Sequence, residues 1–215
     1  MAPLTLALPK GRLTEDALAC LARAGYELPA SGDIGRRLVL DTPDGRLRLV
    51  MAKPSDVPVF VEYGAADLGI AGLDVVREAE RDLYEPARLP FGHCRLVLAG
   101  RQGREERPLR LERSPKVATK FPHLTEAFFR QRGLAPEIIV MSGSVELAPQ
   151  IGLADLIVDL VQTGTTLREN GLSELHVVLE SQAVLVANRA GYRLRAVEVR
   201  EFIDAVVAAS GQRTG

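Results

Sequence analysis

The sequence predicts an α/β fold built from two similar lobes with a ligand cleft between them. Short apolar runs that fit buried strands alternate with segments in which apolar residues recur at helical spacing. The pattern G-x-A-D-L occurs at Gly64–Leu68 and again at Gly152–Leu156, 88 residues later. Each copy ends a predicted helix and begins a predicted strand, and a turn with glycine follows. Because ligands of such folds bind beyond the carboxyl ends of strands, we expect these two turns to face each other.

The order of the predicted elements divides the chain into two lobes. Residues 1–90 together with residues 180–215 are predicted to form lobe I, and residues 91–179 to form lobe II as an insertion. A long β run at 174–188 and a final amphipathic helix around 199–206 would return the chain to lobe I. The other strands are predicted at 4–8, 36–41, 46–52, 67–71, 83–89, 95–99, 116–119, 137–141 and 156–158.

Composition limits the class of protein. The 215 residues carry a net charge of −1 and contain no tryptophan, so neither a basic DNA-binding surface nor base stacking is favoured. Cys20 and Cys94 form neither a disulfide framework nor a metal-binding pair. No apolar run approaches the roughly 20 residues of a membrane span, and the first residues lack a signal-peptide core. A cytoplasmic protein that binds neither DNA nor membranes is expected.

The stretch Glu146–Leu167 carries the sharpest functional signal. Its apolar run 156–158 is predicted to be a buried strand that brings Asp159 to its carboxyl end. The segment Thr163–Thr166, called the threonine loop below, has the sequence TGTT and leads into a short helix. Backbone N–H groups at a helix start attract anions, hydroxyls donate hydrogen bonds, and Gly164 permits close approach. This order indicates a site for a phosphorylated sugar, and a polar turn that only caps a helix is the alternative.

Two further residues of lobe II are candidates. Glu146, at a predicted helix start, either complements the helix dipole or binds a second ribose hydroxyl opposite Asp159. Lys120 follows the predicted strand 116–119, and it either reaches the cleft or is an ordinary surface lysine.

Several cations of lobe I lie where predicted strands begin or end. Lys10 and Arg12 flank Gly11 in the turn between the first strand and the first helix, where two positive charges suit pyrophosphate or triphosphate oxygens. Arg36 begins a predicted strand, and Lys53 follows another. For each of them a solvated surface charge is the alternative.

A second turn of lobe I contains acids and a glycine. Asp67, Gly72 and Asp74 belong to the predicted strand 67–71 and the turn after it, a pattern that resembles a strand and turn accommodating a nucleotide. Glycine content alone does not distinguish this from an ordinary strand that starts at Asp67.

The motif E-x(5)-G-x-A-D-x-I-x-D-L-x-x-T-G-x-T-L, read from Glu146 to Leu167, resembles the signature of the ATP phosphoribosyltransferase family. Further resemblances to that family occur in order at residues 8–12, 56–64, 66–72, 94–96, 118–120 and 143–149. The resemblance therefore covers nearly the whole chain. It implies a periplasmic-binding-protein-like (type II) fold of two α/β lobes, which agrees with the repeated G-x-A-D-L pattern.

The resemblance also implies an activity. That family transfers the 5-phosphoribosyl group of 5-phosphoribosyl 1-pyrophosphate (PRPP) to N1 of ATP and releases pyrophosphate, the first step of histidine biosynthesis. Mg²⁺ is expected on the substrate phosphates, with no metal site made by side chains alone. The chain resembles the short form, whose subunits work with a regulatory subunit that resembles histidyl-tRNA synthetase but lacks aminoacylation activity. A homodimer within a hetero-octamer is expected.

The same resemblance assigns roles to the candidate residues. Arg36 and Lys53 match positions that face the pyrophosphate and, with Lys10, would be catalytic. The PRPP-binding residues would be Glu146, Asp159, Thr163, Gly164, Thr165 and Thr166. The ATP-binding residues would be Gly11, Arg12, Asp67, Gly72, Asp74 and Lys120. Relatives often carry arginine at the position of Lys53. Lysine keeps the positive charge but lacks the bidentate fork of a guanidinium.

Two other functions also fit a two-lobe α/β protein. One is a non-catalytic small-ligand-binding module, and the other is a nucleobase-salvage phosphoribosyltransferase with a similar phosphate turn. Binding of an amino acid or a sugar, without ATP or PRPP, would favour the first. Activity with free adenine in place of ATP would favour the second.

Overall fold

The structure, a computed structural model, describes residues 2–30, 32–34, 36–103 and 114–211. They form two compact units, each with one mixed β-sheet. Unit 1 runs to His93 and resumes at Gln182, and unit 2 comprises Cys94–Ser181. Within these described ranges, no helix is long and apolar enough to cross a membrane.

Unit 1 is built from both ends of the chain. Its strands are β1 (Leu4–Pro9), β2 (Val39–Asp41), β3 (Leu47–Ala52), β4 (Leu68–Gly72), β5 (Tyr84–Arg88) and β11 (Ala183–Ala187). Its helices are α1 (Thr14–Arg23), α2 (Val57–Glu62), α3 (Leu73–Ala79), α7 (Arg189–Leu194) and α8 (Ala196–Ala209), with a 3-10 turn at Pro54–Asp56. Leu6, Leu21 and Phe202 are fully buried in the core that includes α1 and α8.

The strand order in unit 1 is β2-β3-β1-β4-β11-β5. Strands β1, β3 and β4 run parallel, whereas β2 is antiparallel to β3 and β11 is antiparallel to both β4 and β5. Pro9 pairs with Ala52 at the ends of β1 and β3. The carboxyl ends of β1, β3 and β4 therefore lie at one edge of the sheet, called the unit 1 carboxyl edge below.

Unit 2 is one continuous segment. Its strands are β6 (Cys94–Arg101), β7 (Lys116–Thr119), β8 (Glu137–Val140), β9 (Leu156–Val161) and β10 (Leu172–Ser181), and its helices are α4 (Pro122–Arg130), α5 (Leu147–Gln150) and α6 (Thr165–Glu169). The order is β10-β6-β9-β7-β8. Strands β7, β8 and β9 run parallel, and their ends define the unit 2 carboxyl edge. Buried Leu156 and Ile157 belong to separate apolar clusters because successive side chains of a strand point to opposite faces.

The two sheets share one topology. The order β3-β1-β4-β11-β5 in unit 1 matches β8-β7-β9-β6-β10 in unit 2, with the same relative strand directions. The two G-x-A-D-L segments lead into β4 and β9, the middle strands of these sets. Gly64 and Gly152 both have a φ of +72°, so the helix before each strand ends in the same left-handed turn. The prediction of two similar α/β lobes is confirmed.

The β run predicted at 174–188 is wrong as a single strand. Gln182 separates β10 from β11, and these two strands belong to different sheets. Its backbone oxygen accepts a hydrogen bond from Leu73 N, and its side-chain amide donates to Leu89 O, so contacts within unit 1 fix the break. Helix α7 was also missed. Its start is capped by the Asn188 side chain, which accepts a hydrogen bond from Gly191 N.

Strand β2 is shorter than predicted. It begins at Val39 and not at Arg36. The backbone N–H groups of Arg36 and Arg37 both donate to Asp33 O, and these turn hydrogen bonds replace a strand ladder. Arg36 therefore lies in a loop.

Helix α2 packs closely on the sheet of unit 1 because Gly69 has no side chain. A Cβ atom at Gly69 would lie 2.8 Å from a methyl carbon of Val57 and 2.8 Å from one of Val61. Both valines are fully buried, so neither can move into solvent. Gly69 is therefore required for the packing of this helix on β4.

We expect Gly69→Ala to lower the free energy of unfolding by about 1–3 kcal/mol, the usual cost of overpacking a core. Urea unfolding followed by circular dichroism measures the change. Gly32→Ala is the matched control, because a Cβ atom there would meet nothing within 4 Å. An unfolding midpoint that is the same in Gly69→Ala and the parent chain would contradict the packing role.

Candidate functional site

The position of Asp159 results from a difference in length between two neighbouring strands. The pairing of β7 with β9 ends where Thr119 pairs with Val158. Strand β9 continues to Val161, so Asp159 lies inside the strand. The sequence analysis had predicted it at the carboxyl end. On one side Asp159 pairs with Val97 of β6, and on the other it lies beyond the end of β7.

Asp159 is a largely buried acid at the unit 2 carboxyl edge, with 19% of its side chain exposed. Burial raises the pKa of this carboxyl above its ordinary value, and the negative charge of Glu146 raises it further. A hydrogen bond of 2.9 Å from Leu160 N to Oδ1 acts in the opposite direction, as does the ammonium of Lys120 at 3.9 Å from Oδ1. The carboxylate is thus held in place while the cost of its burial is only partly offset.

Thr119 fixes the turn that carries Lys120. Its buried hydroxyl donates to Val158 O at 2.8 Å and accepts a hydrogen bond from Phe121 N at 2.9 Å. The first bond ties Thr119 to β9, and the second joins the residues on both sides of Lys120 to each other. Sequence reasoning missed this role because threonine is a typical strand residue and nothing else marked this one.

The threonine loop connects β9 to α6. Gly164 has a φ of +75°, a conformation that glycine adopts readily and other residues rarely. The hydroxyl oxygens of Thr163 and Thr165 lie 3.2 Å apart, within hydrogen-bonding distance, and Thr166 is exposed. The loop therefore presents exposed hydroxyl donors, an arrangement that can bind an anion, while Gly164 itself is buried.

Three charged side chains that the sequence analysis had missed lie close to the threonine loop. Arg168 Nη2 lies 3.3 Å from Thr165 Oγ1, and its Nη1 lies over Gly164. Glu174 also approaches Gly164, and Arg95 binds the carboxylate of Glu174 through contacts of 2.8 and 3.0 Å. A cation four residues after Gly164 on a helix was a usable signal, since residues at that spacing lie on one face.

Lys10, Gly11 and Arg12 lie in the turn between β1 and α1. Lys10 N donates to Ala52 O at 2.8 Å, which joins this turn to the end of β3. The guanidinium of Arg12 donates from Nη1 to Gly92 O at 2.6 Å, so part of its hydrogen-bonding capacity serves the chain itself. Lys10 and Gly11 are exposed at the unit 1 carboxyl edge.

Lys53 and Arg36 reach the same edge from different strands. Lys53 is exposed and directly follows β3, beside the turn of Lys10. Arg36 precedes β2, which runs antiparallel to β3, and Leu38 O accepts a hydrogen bond from Met51 N. The loop of Arg36 therefore lies near the carboxyl end of β3, although the residue is not on a strand.

Gly72 and Asp74 form the turn from β4 into α3 at this edge. A Cβ atom at Gly72 would collide with Asp74 Oδ1, so the carboxylate folds back over the glycine. Asp74 is only 1% exposed. The turn lies where the sequence analysis placed it, but its acid is turned inward and offers little surface to a ligand.

The position of Asp67 contradicts the expectation that it binds ATP together with Gly72 and Asp74. Asp67 precedes β4, and at about 3.3 Å per residue the strand separates it from Asp74 by more than ~16 Å. Its Oδ2 accepts a hydrogen bond from Thr5 N at 2.8 Å and pairs with Arg195 Nη1 at 3.2 Å. The carboxylate thus stabilises the start of the sheet at the opposite edge from the candidate site.

The raised pKa of Asp159 predicts a stability difference that depends on pH. A carboxyl whose pKa is raised by folding binds its proton more tightly when folded, so ionisation at rising pH lowers stability. Asp159→Asn removes this charge, while its amide oxygen can still accept from Leu160 N. The lost ion pair with Lys120 opposes the gain, but burial is the larger effect. We expect the variant to gain stability over the parent chain as pH rises from about 3 to about 7.

Urea unfolding at several pH values measures this difference. Asp155→Asn is the matched control, because Asp155 is an exposed acid directly before the same strand. The control should show no comparable gain with rising pH. A difference between Asp159→Asn and the parent that stays constant over this range would contradict the effect of burial.

Comparisons with known proteins agree on one family. The family described as HisG, ATP phosphoribosyltransferase, matches residues 53–208. An ATP phosphoribosyltransferase from Sorangium cellulosum is 48% identical over 208 residues, which cover 97% of this chain and 96% of the relative. One from Halalkalibacterium halodurans is 46% identical over 204 residues, which cover 95% of each chain.

Solved structures match over the same length. The ATP phosphoribosyl transferase (HisG:HisZ) complex from Thermotoga maritima matches with a TM-score of 0.83 at 37% identity, covering 97% of this chain and 98% of that chain. The periplasmic aliphatic sulphonate binding protein SsuA from Escherichia coli matches with a TM-score of 0.61 at 16% identity, covering 98% of this chain and 73% of that chain. The latter likeness concerns the fold alone and confirms the type II periplasmic-binding-protein-like class. This chain belongs to the ATP phosphoribosyltransferase family.

Proposed function

We propose that the chain transfers the 5-phosphoribosyl group of PRPP to N1 of ATP with release of pyrophosphate, as the first step of histidine biosynthesis. Family membership supports this reaction. The observation that carries the site assignment is the presence of buried Asp159 and the threonine loop at one edge of unit 2. A fixed carboxylate and a set of hydroxyl donors match the hydroxyls and the phosphate of one sugar phosphate.

The phosphoribosyl group is assigned to unit 2. Asp159 and Glu146 would accept hydrogen bonds from ribose hydroxyls, since ionised carboxylates only accept. Because Leu160 N and Lys120 already hold the Asp159 carboxylate, little orientational freedom is lost when the sugar binds. The 5′-phosphate would be bound by hydroxyls and backbone N–H groups of Thr163, Gly164, Thr165 and Thr166.

The chemical step requires no strong base, since adenine N1 is already a nucleophile. Its lone pair forms the bond to C1′ while the bond from C1′ to the pyrophosphate oxygen breaks, and that electron pair leaves with pyrophosphate. Positive charge develops on the ribose in the transition state. An ionised Asp159 on the ribose hydroxyls would stabilise this charge, which is an electrostatic contribution in a largely buried position.

The leaving group is assigned to cations of unit 1. Lys10, Lys53 and Arg36 belong to segments at the unit 1 carboxyl edge, and pyrophosphate gains negative charge as it departs. The remaining residues proposed for ATP are Gly11, Arg12 and Gly72 in the adjoining turns, and Lys120 in unit 2. Asp74 would act by holding its turn in place, because its carboxylate is buried. Asp67 is not among the residues proposed for ATP, because its carboxylate is used at the other edge of the sheet.

Mg²⁺ is proposed as the cofactor, held mainly by substrate phosphates. Among the described residues, no group of three or more His, Cys, Asp or Glu side chains is arranged to hold a metal ion. Asp159 and Glu146 are close enough to influence each other electrostatically. One or two carboxylates together with phosphate oxygens form a usual ligand set for Mg²⁺, so this donor set fits. When bound, the ion would neutralise charge on the pyrophosphate.

A regulatory partner is part of the proposal. The Thermotoga maritima structure is a complex of HisG with HisZ, and its matched chain aligns with 97% of this one. We expect a corresponding partner here, similar to histidyl-tRNA synthetase and without aminoacylation activity. The proposed assembly is a homodimer within a cytoplasmic hetero-octamer.

An assay with both substrates tests the function. Purified chain, alone and with its regulatory partner, should convert ATP and PRPP to a product with altered adenine absorbance. Asp159→Asn should reduce kcat by about 100-fold or more, the usual cost of removing a group that stabilises transition-state charge. Asp155→Asn, which alters an exposed acid of the same segment, should remain active.

Three outcomes would contradict the proposal or its site. Activity with free adenine but not ATP would favour a nucleobase-salvage enzyme. Binding of an amino acid or a sugar with no turnover under any condition would favour a binding module. Full activity of Asp159→Asn would show that the site lies elsewhere.

Lys53 tests the assignment of the leaving group. Lys53→Met should lower kcat/KM for PRPP roughly 10- to 100-fold, because a hydrogen bond to a charged group is lost. Lys53→Arg should keep most of the activity, since the guanidinium keeps the charge. Lys116→Met is the control, because Lys116 pairs with Glu137 in unit 2 at the amino end of β7. Steady-state kinetics that are equal for Lys53→Met and the parent would remove Lys53 from the site.

A further inference from the structure

We propose that Arg168 is a positioning residue for PRPP. Its guanidinium polarises the hydroxyl donors of the threonine loop toward the 5′-phosphate. This role rests on the proposed function and concerns a residue to which the family resemblance gave no role. Arg168 lies on α6, directly after the loop, and its guanidinium contacts the Thr165 hydroxyl.

The hydrogen bond between Arg168 and Thr165 has only one possible direction. Arg168 Nη2 lies 3.3 Å from Thr165 Oγ1. A guanidinium has N–H donors and no acceptor, so the hydroxyl oxygen must accept. The proton of the Thr165 hydroxyl then points away from Arg168, toward Thr163 Oγ1 at 3.2 Å or toward a ligand.

A hydroxyl that accepts from a cation becomes a stronger donor. Hydrogen bonds in series polarise one another, so Arg168, Thr165 and Thr163 form a chain that begins at a positive charge. The two threonine hydroxyls share one mutual bond, and one O–H is left for a phosphate oxygen whichever of them donates. Arg168 strengthens that donor and holds the acceptor side of the pair away from the phosphate.

Arg95 and Glu174 form an ion pair close to Arg168, and the three side chains together leave a positive charge beside the threonine loop. Arg168 Nη1 and Glu174 Oε1 lie 3.1 and 3.3 Å from the point where a Cβ atom of Gly164 would be. The carboxylate of Glu174 attracts Arg168 to this side of the loop. Arg95 binds the same carboxylate at 2.8 and 3.0 Å and neutralises it. Two arginines and one glutamate thus leave a local charge of +1, which favours a phosphate.

Arg168→Met tests this role in the whole chain together with its regulatory partner. We expect the KM for PRPP and the Kd for ribose 5-phosphate each to rise about tenfold, with the KM for ATP unchanged. Arg168→Lys keeps the charge but loses the planar fork, so it should recover part of the loss. Arg130→Met is the matched control, because Arg130 is an exposed arginine at the end of α4.

Thr165→Val distinguishes action through the hydroxyl from direct contact with the phosphate. If Arg168 acts through Thr165, Arg168→Met should raise the KM for PRPP by less than about threefold in the Thr165→Val background. A full tenfold rise in that background would overturn the proposed role, since Arg168 would then contact the ligand itself.

Two other results would also overturn it. An unchanged KM for PRPP in Arg168→Met would show that the loop does not need the guanidinium. Equal rises in the KM for PRPP and for ATP, with a lowered unfolding midpoint, would show a structural role only. Absence of turnover by the parent chain with ATP and PRPP is a separate outcome, which would overturn the proposed function itself.

Discussion

The candidate site of unit 2 depends on the unequal lengths of β7 and β9. Because β7 ends at Thr119, the position beside Asp159 is taken by Lys120 and not by another strand residue. Burial of a carboxylate costs free energy that nearby donors must offset, and here Lys120 and Leu160 N offset it only in part. A ligand that brings hydroxyl donors and developing positive charge can therefore gain more at this acid than at a fully compensated one.

The two units carry different side chains on one topology. Strands β4 and β9, which hold the same place in the shared strand order, each follow a G-x-A-D-L segment. Asp159 of β9 nevertheless has Ala71 as its counterpart in β4, 88 residues earlier. The edge of unit 2 carries an acid and hydroxyls, whereas the edge of unit 1 carries Lys10 and Lys53. With a net charge of −1 on the whole chain, each local field must arise from such placement.

Sequence reasoning succeeded where the signal was local. The repeated glycine before β4 and β9 is needed for one turn conformation, so the repeat predicted the shared topology. Asp67 was wrongly assigned to ATP because its partners Thr5 and Arg195 lie 62 and 128 residues away, and no local pattern reveals such contacts. The same limit hid the pairing of Arg95 with Glu174, 79 residues apart.

The split of the late β run at Gln182 has a consequence for both candidate edges. The chain passes from unit 1 to unit 2 after His93 and back to unit 1 at Gln182, and these two points are called the crossings here. The strand that follows each crossing pairs antiparallel with a strand of a candidate edge: β6 pairs with β9, and β11 pairs with β4. Val97 of β6 pairs with Asp159, and Ala183 of β11 pairs with Gly72. The strand partners of these two candidate residues therefore lie directly after the crossings. The sheet of unit 1 is complete only after the chain has returned to it at Gln182, whereas unit 2 is one continuous segment that begins with β6. A change at either crossing should therefore disturb the candidate residues of the sheet it enters, although no crossing residue is assigned to a ligand.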